Sequence, residues 1–356
     1  MKLLLFLCLL AGCGTCSLAQ EVRALYTAEG QFNFRHRFNL VNLCRLEGDF
    51  PLGRHVKAEV ATLHIVRLNA ERIAEDWQTF SNIEEDNMPC GIAVAGLSYA
   101  TSHCRWFAGV RNVNEDYFTA PGTSLFTNSS NGIFPTLSAS LPLANYPLSA
   151  MALHFTCEGR SAGIQASLYN GRGRNGWKKK ENPFMVSPKD DGVCGMAEVV
   201  LRETDVGRYQ AGAGMHHGHL APEYGVGAPH RRDTRGGWWI YAERQVLEAG
   251  RGTANLLLSY SEAFGRGRVC RRFAEVGCVA NLRDRGNSRI GVSLQQADFA
   301  YGRERSGEIT CRRTMNGVLD LQPSFQLIRN SNGCYTVLTV RAYLSFNLCK
   351  TGGKAL

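Results

Sequence analysis

The sequence predicts an all-β chain closed into a transmembrane antiparallel β-barrel of about 14 to 16 strands, with a long loop folded inward to narrow its pore. Three observations lead there. Short runs alternate apolar and polar residues along most of the 356 positions. Beyond the N-terminal leader there is no run of about 18 apolar residues, which excludes helical membrane spans but not barrel strands of about 9 to 11 residues. One stretch, residues 110–149, holds no sustained period yet is rich in aromatics, Asn, Ser and Pro. Such long irregular insertions in a patterned chain are usually functional.

The chain opens with Lys2, the run LLLFLCLL and then small residues, the pattern of an export signal. Cleavage before Gln20 suits Ser17-Leu18-Ala19, whereas Leu10-Ala11-Gly12-Cys13 matches a lipobox that would leave a lipidated Cys13. The first is preferred because strand-like sequence begins directly after Gln20. Residues 1–19 are then a signal peptide and 20–356 one barrel domain. Of 13 cysteines, three fall in the leader, and the remaining ten form no CxxC pair. They read as small strand-face residues with at most an incidental bridge, and no metal or cofactor is expected. The formal charge of +9 comes from basic residues spread through strands and turns, gathered only in residues 168–182 and 265–272. No nucleic-acid motif accompanies them, so nucleic acid is not an expected partner.

Residues 23–34 and 38–50 read as a first hairpin, Pro51-Leu52-Gly53 as a tight turn and 55–68 as a third strand. A polar segment through Trp77 to the acids Glu84, Glu85 and Asp86 follows. Three consecutive acids lack the spaced oxygens of a calcium loop and read as a solvated turn. Strands at 91–100 and 105–113 lead into the long loop, whose constricting part is about 114–146. Beyond it alternation is cleaner. Ile164, Ala166 and Leu168 oppose Gln165, Ser167 and Tyr169; Leu256 and Leu258 oppose Ser259 and Ser261; Phe325 and Leu327 oppose Gln322, Ser324 and Gln326. In the last strand, 338–348, Arg341 sits in the middle of the polar face, natural beside a water-filled lumen and costly in a sandwich core. His216, His217 and His219 match no metal motif and read as a polar strand end.

Several composite patterns occur in a fixed order: WQTFSNIEEDN (77–87), AGVRNVNEDYF (108–118), SLFTNSSNGIFPTLSASLP (124–142), YPLSAMALHF (146–155) and ASLYNG (166–171), with weaker echoes at 192–218 and 239–246. In these the chain resembles the carbohydrate-selective porins, the OprB-like family. The resemblance implies an outer-membrane porin of a Gram-negative bacterium, passing mono- and small oligosaccharides by selective diffusion. It would be surrounded by outer-membrane lipid and inserted by the barrel-assembly machinery, and a homo-oligomer is compatible with it. This chain is on the short side for that family.

Sugars offer hydroxyls and apolar C–H faces but no charge, so a selective channel needs aromatic platforms beside fixed hydrogen-bonding groups. The long loop offers Tyr117, Phe118, Phe126 and Phe134 as platforms, Asn112, Asn114, Asn128 and Asn131 as polar partners, and Arg111, Glu115 and Asp116 as a charged ladder. Phe126 and Phe134 serve equally well as anchors of the loop to the wall. Lumen positions on strands are Gln165, Tyr169, Tyr241, Glu243 and Gln245. Arg111→Ala is expected to alter sugar selectivity more than folding. An enzyme is not expected, because no GxSxG elbow is present and no motif singles out a carboxylate pair such as Glu29 and Glu47. The alternatives to a sugar-selective pore are a general porin and a non-conducting surface-binding barrel.

Overall fold

The computed structural model describes residues 21–35, 37–203, 206–219, 232–250, 252–283, 286–315 and 317–350. The expected leader and its competing cleavage sites lie outside the described residues. Sixteen strands form one closed antiparallel barrel in which each pairs with its sequence neighbours and β1 pairs with β16. They are β1 (Glu21–Asn33), β2 (Phe38–Pro51), β3 (Val56–Arg67), β4 (Met88–Ala100), β5 (Cys104–Arg111), β6 (Ala150–Glu158), β7 (Ala162–Asn170) and β8 (Val193–Glu203). The second half comprises β9 (Gly207–His219), β10 (Arg232–Ala249), β11 (Gly252–Phe264), β12 (Cys270–Leu282), β13 (Arg289–Phe299), β14 (Gly302–Thr314), β15 (Leu319–Asn330) and β16 (Gly333–Lys350). The last strand runs past the expected end at residue 348, because Val22 and Glu21 still pair with Cys349 and Lys350.

Alternation sorts the side chains into two populations. Leu256 and Leu258 point outward while Ser259 and Ser261 are buried inside, and Phe325 and Leu327 point outward opposite buried Gln322, Ser324 and Gln326. Val60, Leu97, Leu153, Ile164, Val199, Ile240, Val276, Leu294, Ile309 and Val340 continue the outer apolar surface around the barrel. An exposed apolar band around a polar interior is the inverse of a water-soluble barrel and marks a membrane-spanning one. Aromatic residues edge it: Tyr99, Trp106 and Phe155 pack in a row near one rim, with centroids 5.7 and 5.4 Å apart, and Phe32 and Phe38 pair at 4.9 Å near the other.

The two rims differ. Connections at the rim carrying the chain ends are short, such as 101–103 and 159–161, while the opposite rim carries the long segments 68–87, 112–149 and 171–192. Short turns face the periplasm and long loops the exterior in barrels of this kind. One disulfide, Cys104–Cys157, is present among the described residues, directly paired across β5 and β6 beside the Trp106 row. Among the described residues no group of three His, Cys, Asp or Glu side chains could hold a metal. His216 is buried against the Asp191 carbonyl at 2.9 Å, and His217 meets the Thr234 hydroxyl at 2.8 Å.

Candidate functional site: the infolded loops and the open wall

A barrel of this size has a lumen too wide for strand side chains to fill. Here two segments from the wide rim occupy it. The larger, 112–149, lacks the period for a strand but has apolar residues that need burial. Three single-turn 3-10 helices, Val113–Glu115, Thr123–Leu125 and Ser129–Asn131, and one short helix α1 (Pro135–Ser138) shape it. Asn128 caps the third turn by accepting from the Ser130 N–H, and Pro135 opens α1 where its missing donor costs nothing. Ile133, Phe134, Leu137 and Leu141 bury against Trp239 and Phe273, while Leu125 and Phe126 bury against Tyr241, Leu257 and Val279. The loop therefore lies on the apolar side of the lumen, which runs from β6 to β13.

Polar pins fix its position. Glu308 on β14 accepts the N–H groups of Thr127 and Asn128 at 2.8 and 3.1 Å and the Thr127 hydroxyl at 2.9 Å. Glu243 accepts the Gly122 N–H at 3.1 Å, and Gln322 donates to the Leu125 carbonyl at 2.5 Å. Arg111 grips Asp116 with two contacts of 2.6 Å, and Arg45 grips Glu115 with contacts of 2.7 and 2.9 Å. Buried carboxylates facing backbone amides make charge-assisted bonds, which are stronger than neutral ones.

The second segment, 68–87, also folds inward, although the acidic cluster in it reads as a solvated turn in the sequence. Glu304 accepts the N–H groups of Trp77 and Gln78, both at 2.8 Å, and Phe80 packs with Ile73, Ile328 and Val337. Glu84 is no solvated residue: it turns inward to Arg67 at 3.6 Å, while Glu85 and Asp86 stay exposed. The two segments interlock through Asn82 N–H to the Thr127 carbonyl at 2.7 Å and Ser129 N–H to the Thr79 carbonyl at 2.9 Å. Burial, with Glu304 and Glu84 nearby, pushes the half-buried Asp76 carboxyl up to about 7. The Tyr146 hydroxyl is pushed up by burial and stays neutral.

The remaining free space, about 560 Å³, lies between the loops and the polar side of the barrel. Thr27, Leu43, Arg45, Leu63, Arg312, Arg341 and Tyr343 supply the wall; Asn82, Asn114, Phe118, Asn131 and Tyr146 are among those on the loop side. Each guanidinium has its own carboxylate. Arg45 meets Glu115 and Glu47, Arg312 meets Asp320 at 2.6 Å, and Arg341 is buried against Glu29. The Arg312 guanidinium also sits 4.2 Å above the Tyr343 ring. Asn82 Oδ1 and both side-chain heteroatoms of Asn131 have no hydrogen-bond partner among the described residues. A narrower space of about 110 Å³ lies beyond Arg45, between Arg23, Glu47, Glu59, Arg111 and Glu115.

These positions divide the expected site residues. Asn114, Phe118, Glu115 and Arg111 border the two spaces, although Asn114 also holds the loop together by accepting the Tyr146 N–H at 2.8 Å. Phe118 keeps a partly exposed ring and a backbone φ of 63°, an uncommon left-handed conformation for a bulky residue. Tyr117, Phe126 and Phe134, at 0%, 1% and 6% exposure, are anchors rather than platforms because no ring face is left for a sugar. Asn112, Asn128, Tyr169, Tyr241 and Glu243 are likewise buried between loop and wall. Asp116 is enclosed by Arg111 and His154, and Gln165 reaches back to the Asp116 carbonyl at 3.0 Å. Gln245 sits at the short-turn rim, beside a register shift, and bonds Glu248 instead of facing the constriction. Arg111 is buried and doubly bound to Asp116, so it holds the loop and offers no free guanidinium to the lumen. Glu29 and Glu47 are each committed to arginine partners. Sequence reasoning did not pick out Arg45, Arg312 or Tyr343, whose signal was the polar parity they share with other inward residues.

No family profile matches the sequence, and no curated protein matches it either. Solved structures do match the fold. The high-pH structure of Pseudomonas putida OprB aligns with 92% of this chain and 93% of its own, at a TM-score of 0.73 and 14% identity. The trimer form of OmpT, an outer membrane protein of Vibrio cholerae, covers 92% and 98% at a TM-score of 0.60 and 9% identity. An anion-selective porin from Comamonas acidovorans covers 91% and 98% at 0.60 and 10%. At these identities the likeness is one of fold: a closed antiparallel barrel built like the porins. With its apolar exterior, that architecture belongs to the outer membrane of Gram-negative bacteria.

Proposed function

We propose that this chain is an outer-membrane porin through which small saccharides diffuse, selected in the space between the 112–149 loop and the β14–β16 and β1–β3 wall. One observation carries the reading. The two part-exposed guanidiniums lining that space, Arg45 and Arg312, are each matched by a carboxylate, and Arg341 behind them is buried against Glu29, so the wall presents fixed donors with little net charge. Such a surface suits a neutral polyhydroxyl solute. A bare arginine row would trap anions, and an apolar wall would exclude sugars. The Phe118 and Tyr343 rings supply faces for sugar C–H groups, and the unpartnered amides of Asn82 and Asn131 supply further hydrogen bonds. The sequence resemblance to the carbohydrate-selective porins points the same way. The expected partners, outer-membrane lipid, the assembly machinery and a homo-oligomer, belong to this proposal, and no chemistry is assigned to the chain.

A second reading, a pore preferring anions, is favoured by the carboxylate partners lying behind the guanidiniums, outside the lining of the main space. Swelling of proteoliposomes in glucose, maltose and gluconate separates the two. Faster entry of glucose and maltose than of gluconate supports the saccharide pore. Faster entry of gluconate than of glucose supports the anion pore.

A further inference from the structure

The basic residues of the wide rim are not spread evenly over the outside of the barrel. Register sets Glu262, Arg272, Asp298 and Arg303 side by side on β11 to β14. One step nearer the membrane, Gln296, Arg305 and Arg329 align across β13 to β15. The next outward row, Val276, Leu294, Gly307 and Leu327, is already apolar. Elsewhere on this rim Phe32, Phe38, Val66, Met215 and Trp238 are exposed, and the polar outward positions His217, Thr234 and Arg232 on β9 and β10 include a single arginine.

Arg268 and Arg271 crown the two rows, and with Arg272 and Arg303 they line a cavity of about 420 Å³ on the outer surface. Two of its arginines are compensated, Arg272 by Glu262 at 3.4 Å and Arg303 by Asp298 at 2.6 Å. Arg268 reaches only the Gly265 carbonyl and Arg305 only the Gln296 amide oxygen. The side chains of Arg271 and Arg329 have no hydrogen-bond or ion-pair partner among the described residues. Four guanidiniums thus line the cavity with two carboxylates, and Arg305 and Arg329 stand one row below, at the height where the apolar band ends on the long-loop side. That is the headgroup level of the outer leaflet. Guanidinium forks match phosphate oxygens in pairs, and basic pockets at membrane height hold anionic headgroups.

We propose that the outer rim of β12 to β15 is a binding site for a phosphorylated glycolipid of the outer leaflet. Its phosphomonoester sits in the arginine cavity and its acyl chains run down the strip formed by Val276, Leu294, Ile309 and Leu327. A merely solvated charged face would carry balanced signs, whereas here arginines outnumber the carboxylates.

The test uses the full barrel in nanodiscs of neutral lipid, with fluorescent bis-phosphorylated lipid A and its dephosphorylated form as probes. The wild-type barrel should bind the phosphorylated form at least about tenfold more tightly, the worth of one charge-assisted contact. An excess of inorganic phosphate should leave it bound, because the acyl chains add their own burial. The R271Q/R305Q/R329Q variant should lose the preference, while K178Q/K179Q/K180Q on the 171–192 loop should keep it. Equal binding of the two lipid forms, displacement by inorganic phosphate, or equal loss in both variants would overturn the assignment. The two-lipid comparison needs no variant, so it decides even if the arginine variant fails to fold.

Discussion

Glu308→Ala probes how firmly the loop is held. The carboxylate receives two backbone N–H groups and the hydroxyls of Thr127 and Ser324, the latter at 2.8 Å, all in a buried setting. Removing it leaves two buried amides unpaired, at about 1–3 kcal/mol each, so about 2–6 kcal/mol is lost from the docked loop tip. That corresponds to a factor of about 30 to about 10⁴ in the ratio of docked to undocked loop. In single-channel recordings E308A should show a larger mean conductance with frequent current steps. E308Q, which keeps an acceptor oxygen, should lie between it and the wild type. An E308A barrel of native heat-modifiable mobility whose current is steady and unchanged would refute the claim that this carboxylate pins the constriction.

Arg312→Ala removes a lining guanidinium 4.2 Å from the Tyr343 ring without touching a loop pin, so block of the current by maltose should weaken about tenfold with the barrel's thermal stability nearly unchanged. Reduction or C104A/C157A opens a bridge spanning 53 residues, and the chain-entropy estimate puts the loss at about 4 kcal/mol; the temperature of the gel-mobility transition should fall. For Asp76, the folded carboxyl titrates near 7 against an unfolded value near 3.8, so the folded form binds the extra proton between those limits. Docking of the 68–87 segment is then strongest below pH ~4 and weakens as pH rises through ~7. Hydrogen-exchange protection in that segment, relative to the intrinsic rate at each pH, should be lower at pH 8 than at pH 5, and D76N should flatten the difference. Arg111→Ala, which unpins Asp116, should lower sugar selectivity through a displaced loop and speed proteolysis of 112–149, a readout that a purely lining role would not move.

Much of the barrel was legible because a membrane inverts and sharpens the usual pattern: outward Leu256, Leu258, Phe325 and Leu327 against inward Ser259, Ser261, Ser324 and Gln326 leave one register open. Arg341 in the last strand located the wet side, and the structure adds its partner Glu29, 312 residues away in sequence. Composition also marked residues 110–149 as the insertion. What it could not give was which face of that insertion is wet. Phe118 and Phe126 are chemically alike, yet one borders the pore and the other is buried against Tyr241 and Leu257, a difference set by wall residues more than a hundred positions away. For the same reason Glu84 read as solvated: nothing local announces that the 68–87 segment folds under the rim to meet Glu304 and Gln326.

The central claim is that a neutral-sum polar wall facing the loop passes sugars. Its most direct test is the single-channel current of the purified wild-type barrel in a planar bilayer, titrated with maltotriose. A sugar-passing wall gives a steady open current that saturably decreases with added maltotriose. An open current indifferent to the sugar at every concentration would contradict it and leave a general porin, and the absence of any current from a correctly folded barrel would contradict conduction itself.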